Sequence, residues 1–154
     1  MLDEPTTGVD PVSRREFWKL LAEFLGLGLT IIVATPYLDE AERCARVALV
    51  HEGRLLALDT PAALQGAMRG AMLEIVGTPV RLAVQVLREA IGAERVQLFG
   101  DRVHAHVHEA AEARALVGRL VQAGVGDAAA RPVVPSLEDV FIDRLATARQ
   151  EVRR

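Results

Sequence analysis

Residues 1–11 read MLDEPTTGVDP, from Met1 to Pro11, and the fold turns on how that run is understood. An apolar stub, Met1-Leu2, delivers two adjacent carboxylates, Asp3 and Glu4. A short Thr/Gly turn follows and ends in Asp10-Pro11. An isolated Asp-Glu is most often a solvated acidic turn, because charged side chains keep their hydration there. At the C-terminal end of a parallel strand the same pair has a second use. Nucleotide-cleaving α/β folds place carboxylates at that point, beside Mg²⁺ and a water. One carboxylate holds the metal's hydration shell, and its neighbour orients or deprotonates the attacking water. The flanking chain decides between the two uses.

Working outward, Asp10 and Pro11 read as a helix start, a side-chain acceptor at N-cap followed by a ring already set for the first helical position. The helix is expected to run to about residue 25, with Phe17, Leu20, Leu21, Phe24 and Leu25 on one face. Gly26 and Gly28 supply its stop. Residues 29–34, LTIIVA, are apolar on both faces, as a buried parallel strand should be. Met1-Leu2, this helix and this strand are therefore expected to make a βαβ unit with most of its first strand missing. Thr35-Pro36-Tyr37 closes the second strand, and a short helix from Leu38 to about Cys44 carries Asp39, Glu40 and Glu42. Acidic residues near a helix N-terminus are favoured by its dipole, so this cluster needs no functional explanation.

Residues 47–50 and 55–58 flank Glu52-Gly53 and read as a hairpin. Thr60-Pro61 then caps a short helix to about Arg69. The pattern changes near Gly70, which places a domain boundary between Gly66 and Gly70. Beyond it come a strand (71–76), a helix (80–90), two strands about Gly100-Asp101, a helix (110–122) and a strand (128–134). The order βαββαβ is that of a ferredoxin-like sandwich. Ser136 and Asp139 are spaced as a capping box for a last helix, with Leu137, Val140, Phe141 and Leu145 as its apolar stripe. That stripe is expected to dock on its own domain or on a second subunit. His104, His106 and His108 alternate along one strand and share the face opposite the buried one. Neighbours two apart lie about 6.8 Å along a strand, so a pair could share a metal with an outside ligand. A solvent-facing row is the simpler expectation.

Composition narrows the class. The 154 residues are 51% hydrophobic with a formal net charge of −3, which reads as globular. Arginines are interleaved with acids and form no basic stripe, so no nucleic-acid partner is indicated. A single cysteine, Cys44, excludes an internal disulfide framework and reads as a small buried hydrophobe. No apolar run reaches the ~18 residues of a membrane span. A cytoplasmic chain, attached to a membrane only through a partner, is the expectation.

Taken together, these motifs resemble a known family. LDEPTTGVDP is similar to the end of the Walker B strand and the D-loop of an ABC-transporter ATPase. TIIVATPYLDEAERC (Thr30 to Cys44) resembles the strand and switch loop that follow, and PSLEDVF (Pro135 to Phe141) resembles the C-terminal signature of drug and polysaccharide exporter subunits. The resemblance implies an α/β fold: the C-terminal part of a P-loop NTPase (ABC ATPase) domain, residues 1–68, followed by a small ferredoxin-like α+β domain, residues 69–154. It implies ATP and Mg²⁺ as cofactors, Asp3 as the metal carboxylate and Glu4 as the residue polarising the attacking water. Gly8 and Asp10 would lie in the turn that crosses to a second ATPase subunit, and Thr35 and Pro36 beside the nucleotide. A membrane-spanning permease would be the other partner, holding the subunit on the inner face of the cell membrane.

Two departures limit the match. The family's switch-loop histidine is replaced by Pro36, which has no side-chain donor; Thr35 or Tyr37 is left to substitute. No GxxxxGK[ST] phosphate loop is present, and the one lysine, Lys19, lies outside any such loop. Because Met1 falls inside the catalytic strand, the chain is expected to be a C-terminal fragment of an ATPase subunit and inactive alone. The alternative is a non-catalytic dimerisation or regulatory module.

Overall fold

The computed structural model describes the backbone of residues 1–152 and the side chains of residues 1–148. The chain packs as two compact units, Met1–Cys44 and Ala45–Arg154. The packing division falls ahead of the hairpin, so residues 45–68 are gathered with the C-terminal unit.

In the first unit, β1 (Leu2–Asp3) runs parallel to β2 (Val33–Ala34), with Leu2 opposite Val33 and Asp3 opposite Ala34. Helix α1 (Pro11–Gly26) connects them, and α2 (Leu38–Ala41) follows β2. Asp10 caps α1 by accepting hydrogen bonds from the Val12 and Ser13 N–H groups, with Pro11 at the first position. Two expectations are corrected here. Only Val33 and Ala34 of the strand expected over 29–34 join the ladder, since a parallel strand extends only as far as its partner and β1 is two residues long. Of α1's apolar stripe, Leu21 is buried whereas Leu20, Phe24 and Leu25 are exposed. So small a unit has too little chain to cover that face.

In the second unit, β3 (Val47–His51) and β4 (Arg54–Asp59) form the expected hairpin. Both turn residues take positive φ, Glu52 at 48° and Gly53 at 72°, the signature of a two-residue turn whose twist matches that of the strands. Helix α3 (Pro61–Gly66) is capped by the Thr60 hydroxyl, which accepts from the Ala63 N–H. A four-stranded sheet follows: β5 (Ala71–Thr78), β6 (Val96–Phe99), β7 (Arg102–Val107) and β8 (Gly126–Val133), in spatial order β6-β7-β5-β8 and antiparallel throughout. Helices α4 (Val80–Ile91) and α5 (Ala113–Gln122) connect β5 to β6 and β7 to β8. Leu73, Ile75, Val103, Ala105 and Val107 of the sheet are buried with Val84, Leu87, Leu116 and Leu120 of these helices in one core. The period-two alternation of β5 and β7 thus sends every second residue inward.

The other sheet face carries Glu74, His104 and His106, and Asp139 and Asp143 of α6 (Leu137–Val152) reach its two histidines. The Asp139 carboxylate, 3% exposed, accepts from His104 Nδ1 at 3.0 Å and from the Ser136 N–H and Oγ at 2.8 and 2.7 Å. Ser136 Oγ in turn accepts from the Asp139 N–H, completing the box anticipated from their spacing. Leu137 and Val140 are buried, and α6 packs on α3 and β4 of its own unit. The expected solvent face of the histidine row is corrected in part: His104 and His106 are half-buried, whereas His108 is exposed. His104 lies against Asp139 and the Phe99 ring, 4.6 Å away. His106 Nε2 donates to the Arg69 carbonyl at 2.6 Å, and His108 Nε2 meets Arg95 at 3.1 Å. Each imidazole has a different partner.

Two outcomes follow. Asp139→Ala removes the box and the His104 partner together and should lower the stability of the second unit by about 1–3 kcal/mol, read from its urea midpoint; an unchanged midpoint would show that α6 is held by apolar packing alone. Hydrogen bonds from Arg102 and Arg131 hold the Glu74 carboxyl below its ordinary range. With the folded value below the unfolded one, that contribution is complete above the ordinary carboxylate range and is lost as pH falls through the lowered value. Glu74→Gln should flatten the acid limb of stability against pH and leave the neutral limb's slope unaltered.

Candidate functional site

The parallel ladder puts the acidic pair where the first eleven residues anticipated it. Leu2 N–H donates to the Ile32 carbonyl and Glu4 N–H to the Ala34 carbonyl, both at 2.8 Å. Asp3 and Glu4 consequently emerge beside the C-terminal end of β2, and both side chains are exposed. Open α/β sheets present their ligand-binding groups at this end of their strands.

Glu4 adopts φ 43°, a left-handed conformation that costs a residue with a Cβ roughly 1–2 kcal/mol. Local bonds hold it there. Thr7 N–H donates to the Glu4 carbonyl at 3.2 Å and Thr7 Oγ1 to Glu4 Oε2 at 3.1 Å. Gly8 turns the chain again at φ 76°, and Val9 N–H closes onto the Thr6 carbonyl. The turn then feeds Asp10, whose carboxylate is committed to capping α1. Hydrogen bonding from Ser13, by side chain and then by backbone, lowers the Asp10 carboxyl from its ordinary value.

On the neighbouring strand end, Thr35 follows β2 and Pro36 is exposed. Thr35 Oγ1 donates its one proton to Glu40 Oε2 at 3.0 Å and accepts from the Tyr37 N–H at 3.1 Å. That hydroxyl has no proton left for a phosphate oxygen. The structure thus brings Asp3, Glu4 and Thr35 to one strand end, while Gly8 and Asp10 belong to the lead-in of α1.

Sequence reasoning missed the group at the centre of this unit. Glu40 is 0% exposed. Its Oε1 accepts from Thr6 Oγ1 at 2.6 Å, its Oε2 takes the Thr35 proton, and Arg14 Nε lies 3.6 Å from Oε1. The Arg14 guanidinium also sits over the Tyr37 ring, 5.1 Å from its centroid. Thr6 is itself fully buried. A faint signal was available: Tyr37, Ala41 and Cys44, spaced four and three apart, mark the inward side of α2, and Glu40 falls on it. Cys44 is half-buried on that side, and burial, followed by the Glu40 charge, pushes its thiol up.

Among the described residues no cluster of three or more His, Cys, Asp or Glu could by itself hold a metal ion. Asp3 and Glu4 supply hard oxygen donors, which suit Mg²⁺ carried mostly by water and phosphate oxygens. No described helix is long and apolar enough to cross a membrane.

Comparison with known proteins gives consistent relatives. The chain is 37% identical to the daunorubicin resistance ATP-binding protein DrrA2 of Streptomyces coeruleorubidus, over 97% of this chain and 48% of that protein. It is 37% identical to the Nod factor export ATP-binding protein I of Paraburkholderia xenovorans strain LB400, over 92% of this chain and 45% of the other. A shorter stretch, 46% of the chain, is 51% identical to 12% of the probable multidrug ABC transporter ATP-binding protein YbhF of Escherichia coli K12. The chain spans about half the length of the first two of these curated relatives. No family model matches it.

Because the left-handed turn at Glu4 is costly for any side chain but glycine, Glu4→Gly should stabilise the first unit by up to about 1 kcal/mol. Urea unfolding followed by Trp18 fluorescence would register it. A midpoint lowered by Glu4→Gly would mean that the Thr7–Glu4 bond outweighs the backbone cost.

Proposed function

We propose, for a chain homologous to the ATP-binding proteins of ABC transporters, that residues 1–68 are the C-terminal part of an ABC ATPase domain and residues 69–154 a ferredoxin-like accessory domain with a terminal helix. The observation that carries the first part is the pairing of β1 with β2, which sets Asp3 and Glu4 beside the Ala34 carbonyl. The sheet order β6-β7-β5-β8, with a helix in each crossover, supports the second.

In this reading Asp3 is the carboxylate that would hold Mg²⁺. The metal neutralises phosphate charge when ATP is bound. Glu4 accepts a hydrogen bond from the attacking water and draws off its proton. The left-handed backbone at Glu4 turns the chain immediately after the strand, which separates the two carboxylates' tasks. The turn through Gly8 to Asp10 faces a second ATPase subunit, and Asp10 keeps it rigid by capping α1. Pro36 offers no proton and the Thr35 hydroxyl is committed to Glu40, so neither supplies the donor that a switch histidine would. Deprotonation of water then falls to Glu4. The phosphate cradle comes from chain outside these 154 residues, and the whole subunit couples hydrolysis to export through a permease at the inner face of the membrane.

Fusion in frame behind the part of a relative such as DrrA2 that this chain does not match tests this. The fusion should hydrolyse ATP with Mg²⁺, and Glu4→Gln should lower kcat by about 10²–10⁴-fold, the usual size of a general-base contribution. The 154-residue chain alone should show no turnover. Glu4-dependent turnover by the chain alone would sink the claim that the cradle lies elsewhere. A fusion indifferent to Glu4→Gln would sink the assignment of Glu4.

A further inference from the structure

Glu40 is buried at a cost that its place in a short helix does not explain. An acidic residue at a helix N-terminus gains from the dipole while remaining in water, as Asp39 does on the surface of α2. Removing a carboxylate from solvent costs several kcal/mol unless its oxygens find donors. Here the Thr6 and Thr35 hydroxyls are those donors, and the Arg14 guanidinium lies alongside as a cation. Thr6 lies two residues beyond Glu4, Thr35 directly follows β2, and Arg14 belongs to α1. The two oxygens are divided, one to each threonine, so the carboxylate spans the turn after β1 and the loop after β2.

From this geometry we infer that Glu40 is a positioning residue that couples the Glu4 turn to the loop at residues 35–37, so that the placement of one fixes the placement of the other. The connection is short and stiff. A displacement of Thr35 pulls Oε2, the planar carboxylate turns with it, and Oε1 carries Thr6. Thr6 in turn is tied to Val9 through its carbonyl, and Thr7 to Glu4 through backbone and side chain. Arg14, 3.6 Å from Oε1 and stacked on Tyr37, ties α1 and the residue after Pro36 into the same assembly. The functional sense of this coupling rests on the reading of Glu4 as the water-positioning carboxylate. The coupling itself does not need nucleotide.

The test uses amide hydrogen exchange of the 154-residue chain without ATP, so its outcome is independent of whether Glu4 is catalytic. The reporter is the Tyr37 N–H, which donates to Thr35 Oγ1, a hydroxyl whose side-chain link to Thr6 runs through Glu40. Thr6→Val should speed Tyr37 exchange by about tenfold, the scale of losing one hydrogen bond to a charged group. Amides of α1 and of β5 should keep their protection. Thr6→Ser, which retains the hydroxyl, should restore the parental rate, and in a Glu40→Ala background Thr6→Val should add nothing. The reciprocal variant, Thr35→Val, should speed exchange of the Thr7 N–H, which donates to the Glu4 carbonyl. Unchanged Tyr37 and Thr7 rates would overturn the inference. So would equal acceleration along α1, which would mark Glu40 as a general stabiliser of the unit, or a Tyr37 amide already unprotected in the parent chain.

Discussion

Two backbone hydrogen bonds, Leu2 to Ile32 and Glu4 to Ala34, fix what the rest of the first unit can do. They make Met1-Leu2 a strand despite its brevity, and they bring the acidic pair out at the end of a parallel ladder. Without them Asp3 and Glu4 would be the solvated turn that their residue types suggest in isolation. With them, each later feature has a consequence. The left-handed Glu4, the Thr7 bonds onto it and the positive φ of Gly8 shape one turn, and Asp10 converts its end into a helix start.

The same unit shows how burial reorganises polar chemistry. Asp39, Glu40 and Glu42 are equivalent by composition and lie within four residues. Only Glu40 is withdrawn from solvent, and its two oxygens are met by the Thr6 and Thr35 hydroxyls. An exposed helical carboxylate contributes a few tenths of a kcal/mol through the dipole. A buried one that lost its donors would cost several. That asymmetry makes the threonine–glutamate–threonine bridge specific: neither Thr6 nor Thr35 can withdraw without leaving one oxygen of a buried carboxylate short of its hydroxyl donor. Its consequence reaches the strand end, where the Thr35 hydroxyl is held away from other acceptors.

The boundaries of most elements were legible in the sequence because local chemistry sets them. Asp10-Pro11, Thr60-Pro61 and Ser136 with Asp139 each begin a helix for the capping reason their residues carry. Glu52-Gly53 turns the hairpin, and the alternation in β5 and β7 identifies the core face. What depended on distant partners was less legible. The length of β2 is limited by β1 rather than by its own apolar run. The His104 face is covered because Asp139, 35 residues later, brings a carboxylate to it, and no property of the alternating histidines announces that. Glu40 was hidden for the same reason, since both of its threonines lie outside its helix. Thr6 is 34 residues away.

The two units solve one problem in parallel. Among the described residues each buries a single carboxylate, Glu40 in the first and Asp139 in the second, and each spends it on joining segments that apolar packing alone would leave free to slide. Asp139 satisfies its own helix start and His104 together, so α6 cannot shift along the sheet by one residue without breaking a hydrogen bond inside a water-poor site. Glu40 does the equivalent for two loops. Apolar contacts tolerate small displacements because dispersion is non-directional, whereas a carboxylate shared between fixed donors does not. Directional bonds are therefore concentrated where register matters: an inner strand of the sheet in one unit, and the strand ends that carry Asp3, Glu4 and Thr35 in the other.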